Sequence, residues 1–261
     1  PTYAREIQES GERGFGFEGL LRRRSAVLNG VLNGLDTDAW DPARDACLPR
    51  RYGPCDVAAG KAACKEALQR ECGFEAGSDM PLIGIVSRLD HQKGLDLALS
   101  ALEPRLGRAQ LVVLGTGDPA LTESFAALEK RRSCVHFHRR FDEPFARRVY
   151  AASDIFLMPS RFEPCGLGQM IAMRYGAVPV AARTGGLADT VFEDDGEGRS
   201  ANGFLCEPND PAGLASAIDR ALEARRRPRW DALVRAAMAG DFSWDRSVNA
   251  YIEIYRQAVK R

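Results

Sequence analysis

The chain has no Cys-x-x-Cys pair among its seven cysteines, no apolar run long enough to span a bilayer, and no excess of either charge sign. Cys47, Cys55, Cys64, Cys72, Cys134, Cys165 and Cys206 leave one thiol over if all the others paired, so reduced cysteines and a cytoplasmic location are expected. No basic amino-terminal region leads into a long apolar stretch, so neither export nor a membrane partner is expected. The 36 Lys and Arg balance the 36 Asp and Glu. That balance excludes a generally basic surface of the kind that coats nucleic acid. Histidine is scarce: His136 and His138 alternate as on one face of a strand, but no third ligand accompanies them, so no metal is expected. Neither a Gly-x-x-x-x-Gly-Lys-Ser/Thr loop nor a full Gly-x-Gly-x-x-Gly fingerprint is present, and no internal repeat or low-complexity tract occurs. The chain opens at Pro1 without methionine, as expected of a trimmed piece. Nothing in the sequence signals an oligomeric state.

What is present is apolar material in short, regularly spaced pieces. With 261 residues, 45% of them apolar, the chain can bury a substantial core. Residues 1–34 are rich in glycine and arginine and read as irregular, with one short helix over Leu20–Asn29. Asn33–Pro42 gathers turn formers around Trp40, an aromatic expected to be exposed, and reads as a linker or structured loop. The main boundary is expected between Asp45 and Lys61, dividing 1–45 from a domain over 46–261.

From Lys61 the pattern alternates. A helix over Lys61–Glu71 precedes strands at Pro81–Ser87, Gln110–Leu114, Val135–His138, Ile155–Met158, Val178–Ala181 and Gly203–Cys206. Between them, Leu95, Ala98, Leu99 and Leu102 repeat at helical spacing, as do Phe145, Val149 and Ala152. Further helices are expected over Pro119–Lys130, over Leu167–Tyr175 closed by Gly176, and from Pro211, capped by Asn209 or Asp210. Tyr251, Ile254, Tyr255 and Ala258 recur at helical intervals and mark at least one helix in the tail. Alternation of this kind predicts an α/β fold, a mainly parallel sheet with helices on both faces and right-handed crossovers. Ligand residues then gather beyond the carboxyl ends of the strands.

Three strand-to-helix segments carry candidate chemistry. In Ser87-Arg88-Leu89-Asp90-His91-Gln92-Lys93-Gly94, Arg88 can fork two hydrogen bonds into phosphate oxygens and Lys93 adds a compact charge. The plain alternative is a surface ion pair. In Arg183–Thr190, Gly185 and Gly186 can turn N–H groups toward a phosphate, or simply make a tight turn before a helix. Glu163, in Glu163-Pro164-Cys165-Gly166-Leu167, suits sugar hydroxyls or positive charge at an anomeric carbon, against the reading of an ordinary surface glutamate. Cys165 reads as packed rather than nucleophilic, since nothing pairs it with a base. Phe141 either borders a base or belongs to the core.

Taken in order, Ser87-Arg88-Leu89-x-x-Gln92-Lys93-Gly94, Pro159–Leu167 and Arg183–Val191 resemble the successive signatures of bacterial glycogen synthases and plant starch synthases. Pro1–Ile7 and the Asn33–Pro42 linker resemble the same family, so nearly the whole chain is covered. The resemblance implies the carboxy-terminal, Rossmann-like half of a two-domain GT-B glycosyltransferase, with residues 1–45 a remnant of the amino-terminal domain and linker. It implies transfer of glucose from ADP-glucose to the non-reducing end of an α-1,4-glucan, without a cofactor or metal. Arg88, Lys93 and Glu163 are the implied catalytic residues; Ser87, Phe141, Cys165, Gly166, Leu167, Thr184, Gly185 and Gly186 are the implied substrate contacts. The family's amino-terminal lysine-glycine-glycine loop and acceptor-side residues have no counterpart here, so the isolated chain is expected to be catalytically incomplete. Many related retaining transferases carry a second glutamate eight residues after the first; this chain has Ile171 there, as the synthase branch does. The alternatives are a non-catalytic nucleotide-sugar or glucan-binding module and a dinucleotide-dependent oxidoreductase, the latter disfavoured by the missing fingerprint.

Overall fold

Six short runs of β-branched and aliphatic residues, each flanked by turn formers, pair into one parallel sheet in a computed structural model that describes residues 1–9, 11–193 and 201–260. The strands are β1 (Leu82–Val86), β2 (Gln110–Leu114), β3 (Val135–His138), β4 (Ile155–Met158), β5 (Val178–Ala182) and β6 (Phe204–Cys206), in spatial order 3-2-1-4-5-6. Ile83 lies opposite Leu111 on one side and Ile155 on the other, so β1 is central and apolar throughout. The order reverses between β1 and β4, the switch point at which open α/β sheets take their ligands.

Twelve helices are described: α1 (Thr2–Glu6), α2 (Gly11–Gly14), α3 (Glu18–Arg23), α4 (Val57–Glu71), α5 (Leu95–Leu102), α6 (Pro119–Arg131), α7 (Glu143–Ala152), α8 (Gly168–Arg174), α9 (Gly185–Thr190), α10 (Pro211–Ala224), α11 (Trp230–Met238) and α12 (Trp244–Val259). Helices α4, α7, α8 and α11 pack together on one face, α5, α6 and α10 on the other. Asp118, Asp142 and Asp210 start α6, α7 and α10 by accepting the N–H of Leu121, Phe145 and Gly213, each at 2.9 Å, with proline in the first turn. Each such cap contributes about 1 kcal/mol. Gly84 lets α7 lie close over β1, because a Cβ there would meet Val149 Cγ1 at 2.9 Å and collide with the Ser153 hydroxyl.

One buried carboxylate ties the amino ends of β1 and β4 to the middle of α4 and the carboxyl end of α10. Asp154, just before β4, accepts from Lys65 Nζ of α4 at 2.7 Å, from the Leu82 amide at 2.9 Å and from Arg225 Nε at 2.8 Å. Burial alone raises the Asp154 pKa, but Lys65, Arg225 and the amide outweigh it and hold the group below its ordinary value.

Two expectations need correction. Residues 1–34 are less irregular than expected: α1, α2 and α3 form within them, and α1 packs on α9. Trp40 is half-buried, edge-on to Tyr150 and Tyr175 with the Arg147 guanidinium 4.1 Å above its ring. The tail, expected to hold at least one helix, contains α11 and α12, and α12 leaves Trp244, Val248, Tyr251, Ile252 and Tyr255 exposed.

Candidate functional site

The switch point is flanked by the segments that leave β1 and β4. After β1 the chain turns through Ser87–Gly94, where the Asp90 carboxylate accepts the Lys93 amide at 3.1 Å and closes a 3-10 turn over His91–Lys93. Gly94 ends it at φ +62, pressed against the Pro159 carbonyl of the opposite segment. After β4, buried Arg161 reaches back, donating to both Asp96 oxygens at 2.8 and 2.7 Å and to the His91 carbonyl at 2.8 Å. The Arg161 amide donates to the Gln92 carbonyl (2.8 Å), and Gln92 Nε2 to the Phe162 carbonyl (3.2 Å). These bonds lock the two segments together and bring Lys93 Nζ into an ion pair with Glu163 Oε2, which also accepts from Ser160 Oγ at 3.2 Å. Glu163 is buried and Lys93 largely so, which strengthens their interaction relative to a surface pair.

A third segment, Thr184-Gly185-Gly186 at the end of β5, lies directly under the Glu163 turn. Its donors face inward. Thr184 Oγ1 and the Gly185 amide donate to the Glu6 carboxylate at 3.0 and 3.1 Å, and the Gly186 amide donates to the Glu163 carbonyl at 2.9 Å. Thr184, Gly185 and Gly186, expected as substrate contacts, have these protein partners because α1 covers the turn on one side and Glu163–Cys165 on the other. Gln169 adds a second clamp: its Nε2 donates to the Cys165 and Gly166 carbonyls (3.2 and 2.8 Å) and to Thr190 Oγ1 (3.1 Å).

The other expected residues divide. Arg88 projects into solvent beside the switch point and pairs with Asp90 at 3.3 Å; Ser87 Oγ donates to the Arg88 carbonyl at 3.0 Å. Gly166 turns at φ +70 and Leu167 is exposed beside it. Cys165 is half-buried, accepts the Asn33 amide at 3.4 Å, and burial raises its pKa, which fits a packing thiol. Phe141 is 85% exposed in the segment after β3, which excludes the core role. His136 and His138 share one face, their rings 6.2 Å apart, with His138 stacked on Phe145. Among the described residues no cluster of His, Cys, Asp and Glu could hold a metal ion. Arg161, Gln169 and Glu6 escaped sequence reasoning, although Arg161 and Glu6 lie inside the motifs quoted and Gln169 two residues beyond one; their partners in the fold show what they do.

A 3-2-1-4-5-6 parallel sheet with a basic segment and a partly buried lysine–glutamate pair at its switch point defines a Rossmann-like domain. Residues 80–224 match the family model described as glycosyl transferases group 1, and the chain belongs to that family. It is 46% identical over 263 residues to the glycogen synthase of Elusimicrobium minutum, covering 100% of this chain and 55% of that protein. It is 50% identical over 259 residues to the glycogen synthase of an Anaeromyxobacter species (strain Fw109-5), covering 98% and 54%. Among solved structures, the catalytic domain of starch synthase IV from Arabidopsis thaliana bound to ADP and acarbose superposes with a TM-score of 0.92 at 38% identity, over 100% of this chain and 55% of that one. The fold is therefore one half of a GT-B glycosyltransferase, and the chain spans about half the length of the relatives it matches. No described helix is long and apolar enough to cross a membrane.

Proposed function

We propose that the chain is the donor-binding half of a cytoplasmic, retaining glycogen (starch) synthase that moves glucose from ADP-glucose to the non-reducing 4-hydroxyl of an α-1,4-glucan. The observation that carries this reading is the partly buried Lys93–Glu163 pair at the switch point, held by the motifs shared with the synthase branch. ADP in the Arabidopsis starch synthase structure supports the adenine nucleotide.

In this reading the work divides as follows. A diphosphate at the switch point meets the Lys93 ammonium and the Arg88 guanidinium, which swings in from solvent, and the two stabilise the charge that develops as the glycosidic C–O bond breaks. Glu163, released in part from Lys93, orients the glucose and opposes positive charge at its anomeric carbon. The acceptor hydroxyl approaches on the face the diphosphate leaves, and the departing phosphate takes its proton. Cys165, Gly166 and Leu167 border the sugar and phosphate, Ser87 shapes the entry, and Phe141 offers an exposed ring to the base. The Thr184–Gly186 turn supports this machinery from beneath. No step calls for a cofactor or a metal ion.

The reaction needs an acceptor side, which a preceding domain supplies in this reading; the exposed apolar residues of α12 and the half-length match to the relatives both support it. The test is transfer from ADP-glucose and UDP-glucose to glycogen by the full-length protein and by this chain. Efficient transfer from ADP-glucose by the full-length protein is expected; absence of transfer from either donor, with a natural glucan present, overturns the reading.

A further inference from the structure

We propose that Glu6 is a positioning residue for Glu163, acting through the Thr184–Gly186 turn. The proposal rests on the functional reading above for the role of Glu163, but the coupling itself is geometric.

Helices α1 and α9 exchange carboxylates. Asp189 of α9 accepts from the Thr2 amide at 3.0 Å and from Thr2 Oγ1 at 2.7 Å, while Glu6 of α1 accepts Thr184 Oγ1 with both oxygens at 3.0 Å and the Gly185 amide at 3.1 Å. Glu6 is buried, with the Arg13 guanidinium 3.6 Å from Oε1. A buried carboxylate is costly unless its acceptor capacity is used, and here the Thr184 hydroxyl, the Gly185 amide and Arg13 use it. Glu6 thus fixes the turn from below.

The turn in turn fixes Glu163. The Gly186 amide donates to the Glu163 carbonyl at 2.9 Å, and Gly185 and Gly186 pack so closely under Glu163 and Cys165 that no side chain fits between them. Thr190 Oγ1 donates to the Gly186 carbonyl at 2.6 Å and accepts from Gln169 Nε2 at 3.1 Å, so the same turn is tied to the Cys165–Gly166 peptide on its far side. A shift at Glu6 has no slack to absorb it before it reaches the backbone that carries the Glu163 carboxylate. Glu6 touches no reacting atom; it determines where that carboxylate stands.

The test pairs kinetics on the full-length protein with amide hydrogen exchange on this chain without donor. In Glu6→Ala, kcat is expected to fall about tenfold or more with the donor KM within about threefold, because misplacement by a fraction of an ångström acts on the transition state. Glu6→Gln keeps an acceptor oxygen and is expected to recover most of the loss; Thr184→Val, which removes one donor and leaves the fold, is expected to show a milder form of it. Amides of 184–187 and 163–167 are expected to exchange faster in Glu6→Ala while the β1 and β2 amides do not. A folded Glu6→Ala protein with kcat within twofold of the parent, a loss confined to KM, or unchanged exchange at 163–167 would overturn the proposal. If the unsubstituted full-length protein transfers no glucose from ADP-glucose, the functional reading fails, and the exchange experiment decides the Glu6 coupling without it.

Discussion

Replacing Gly186 by alanine isolates the packing between the β5 turn and the Glu163 turn. Gly186 does not adopt a positive φ, so the substitution carries no backbone penalty and its effect is steric. The added Cβ would run into the Cys165 carbonyl oxygen and stand 2.5 Å from its carbon, whereas ordinary contact begins at 3.4 Å. The Glu163–Cys165 turn must therefore retreat by about 1 Å or more, and the Gly186–Glu163 hydrogen bond stretches with it. Misplacement of a catalytic group by about 1 Å costs on the order of 10²-fold in rate. Overpacking of this kind costs about 1–3 kcal/mol of stability. Full-length Gly186→Ala is expected to melt a few degrees lower yet remain folded at 25 °C, with kcat reduced by roughly 10²-fold at saturating donor. The checks are thermal unfolding by circular dichroism and initial-rate glucan synthesis. A folded variant that keeps the parental kcat would refute the claim that the turn sets the position of Glu163.

Arg88→Ala and Lys93→Ala are each expected to cost roughly 2–4 kcal/mol of transition-state stabilisation, read as lost turnover at saturating donor; unchanged turnover with altered donor affinity alone would remove their catalytic role. Lys65→Met leaves Asp154 with Arg225 as its one cationic partner, so the domain is expected to lose about 3 kcal/mol in urea unfolding, the low end for a broken buried pair. Because the Asp154 pKa is depressed in the fold, its stabilisation is fully present above the ordinary value of 3.8 and is lost as pH falls through the folded value below it. Asp154→Asn should flatten that acid limb, and an unchanged limb would contradict the assignment. The 261-residue chain alone is expected to fold and to bind the donor weakly in calorimetry while making no glucan at the full-length rate; full-length-like turnover by the pure chain would show the preceding half to be dispensable.

Local pattern carried the sheet well, because five of the six strands are short apolar runs between turn formers, β3 alternates, and the longer helices that cover the sheet have stripes at their own period. Ser87–Gly94 and Glu163–Leu167 were placed at strand ends by the same logic, and the structure puts Lys93 against Glu163 there. What pattern missed is long-range. Residues 1–34 have weak helical periodicity, and α1 is stabilised by Asp189, Thr184 and Gly185, some 180 positions away, rather than by its own sequence. Gly185 and Gly186 look like a phosphate-binding turn in isolation; that their donors are engaged by Glu6 and the Glu163 carbonyl depends on which elements fold over them. Trp40 was read as exposed because its neighbours are turn formers, while its half-buried state comes from Arg147, Tyr150 and Tyr175. Arg161 and Gln169 act by joining segments, a role no single segment displays.

The most direct test of donor binding at the switch point for glucan synthesis is linkage analysis of the product made by the full-length protein from radiolabelled ADP-glucose and a short α-1,4-glucan. The expected product carries label at the non-reducing end in an α-1,4 linkage, and its formation falls sharply in Lys93→Ala and Glu163→Gln. Release of free glucose only, a different linkage, or undiminished synthesis by both variants would contradict the assignment.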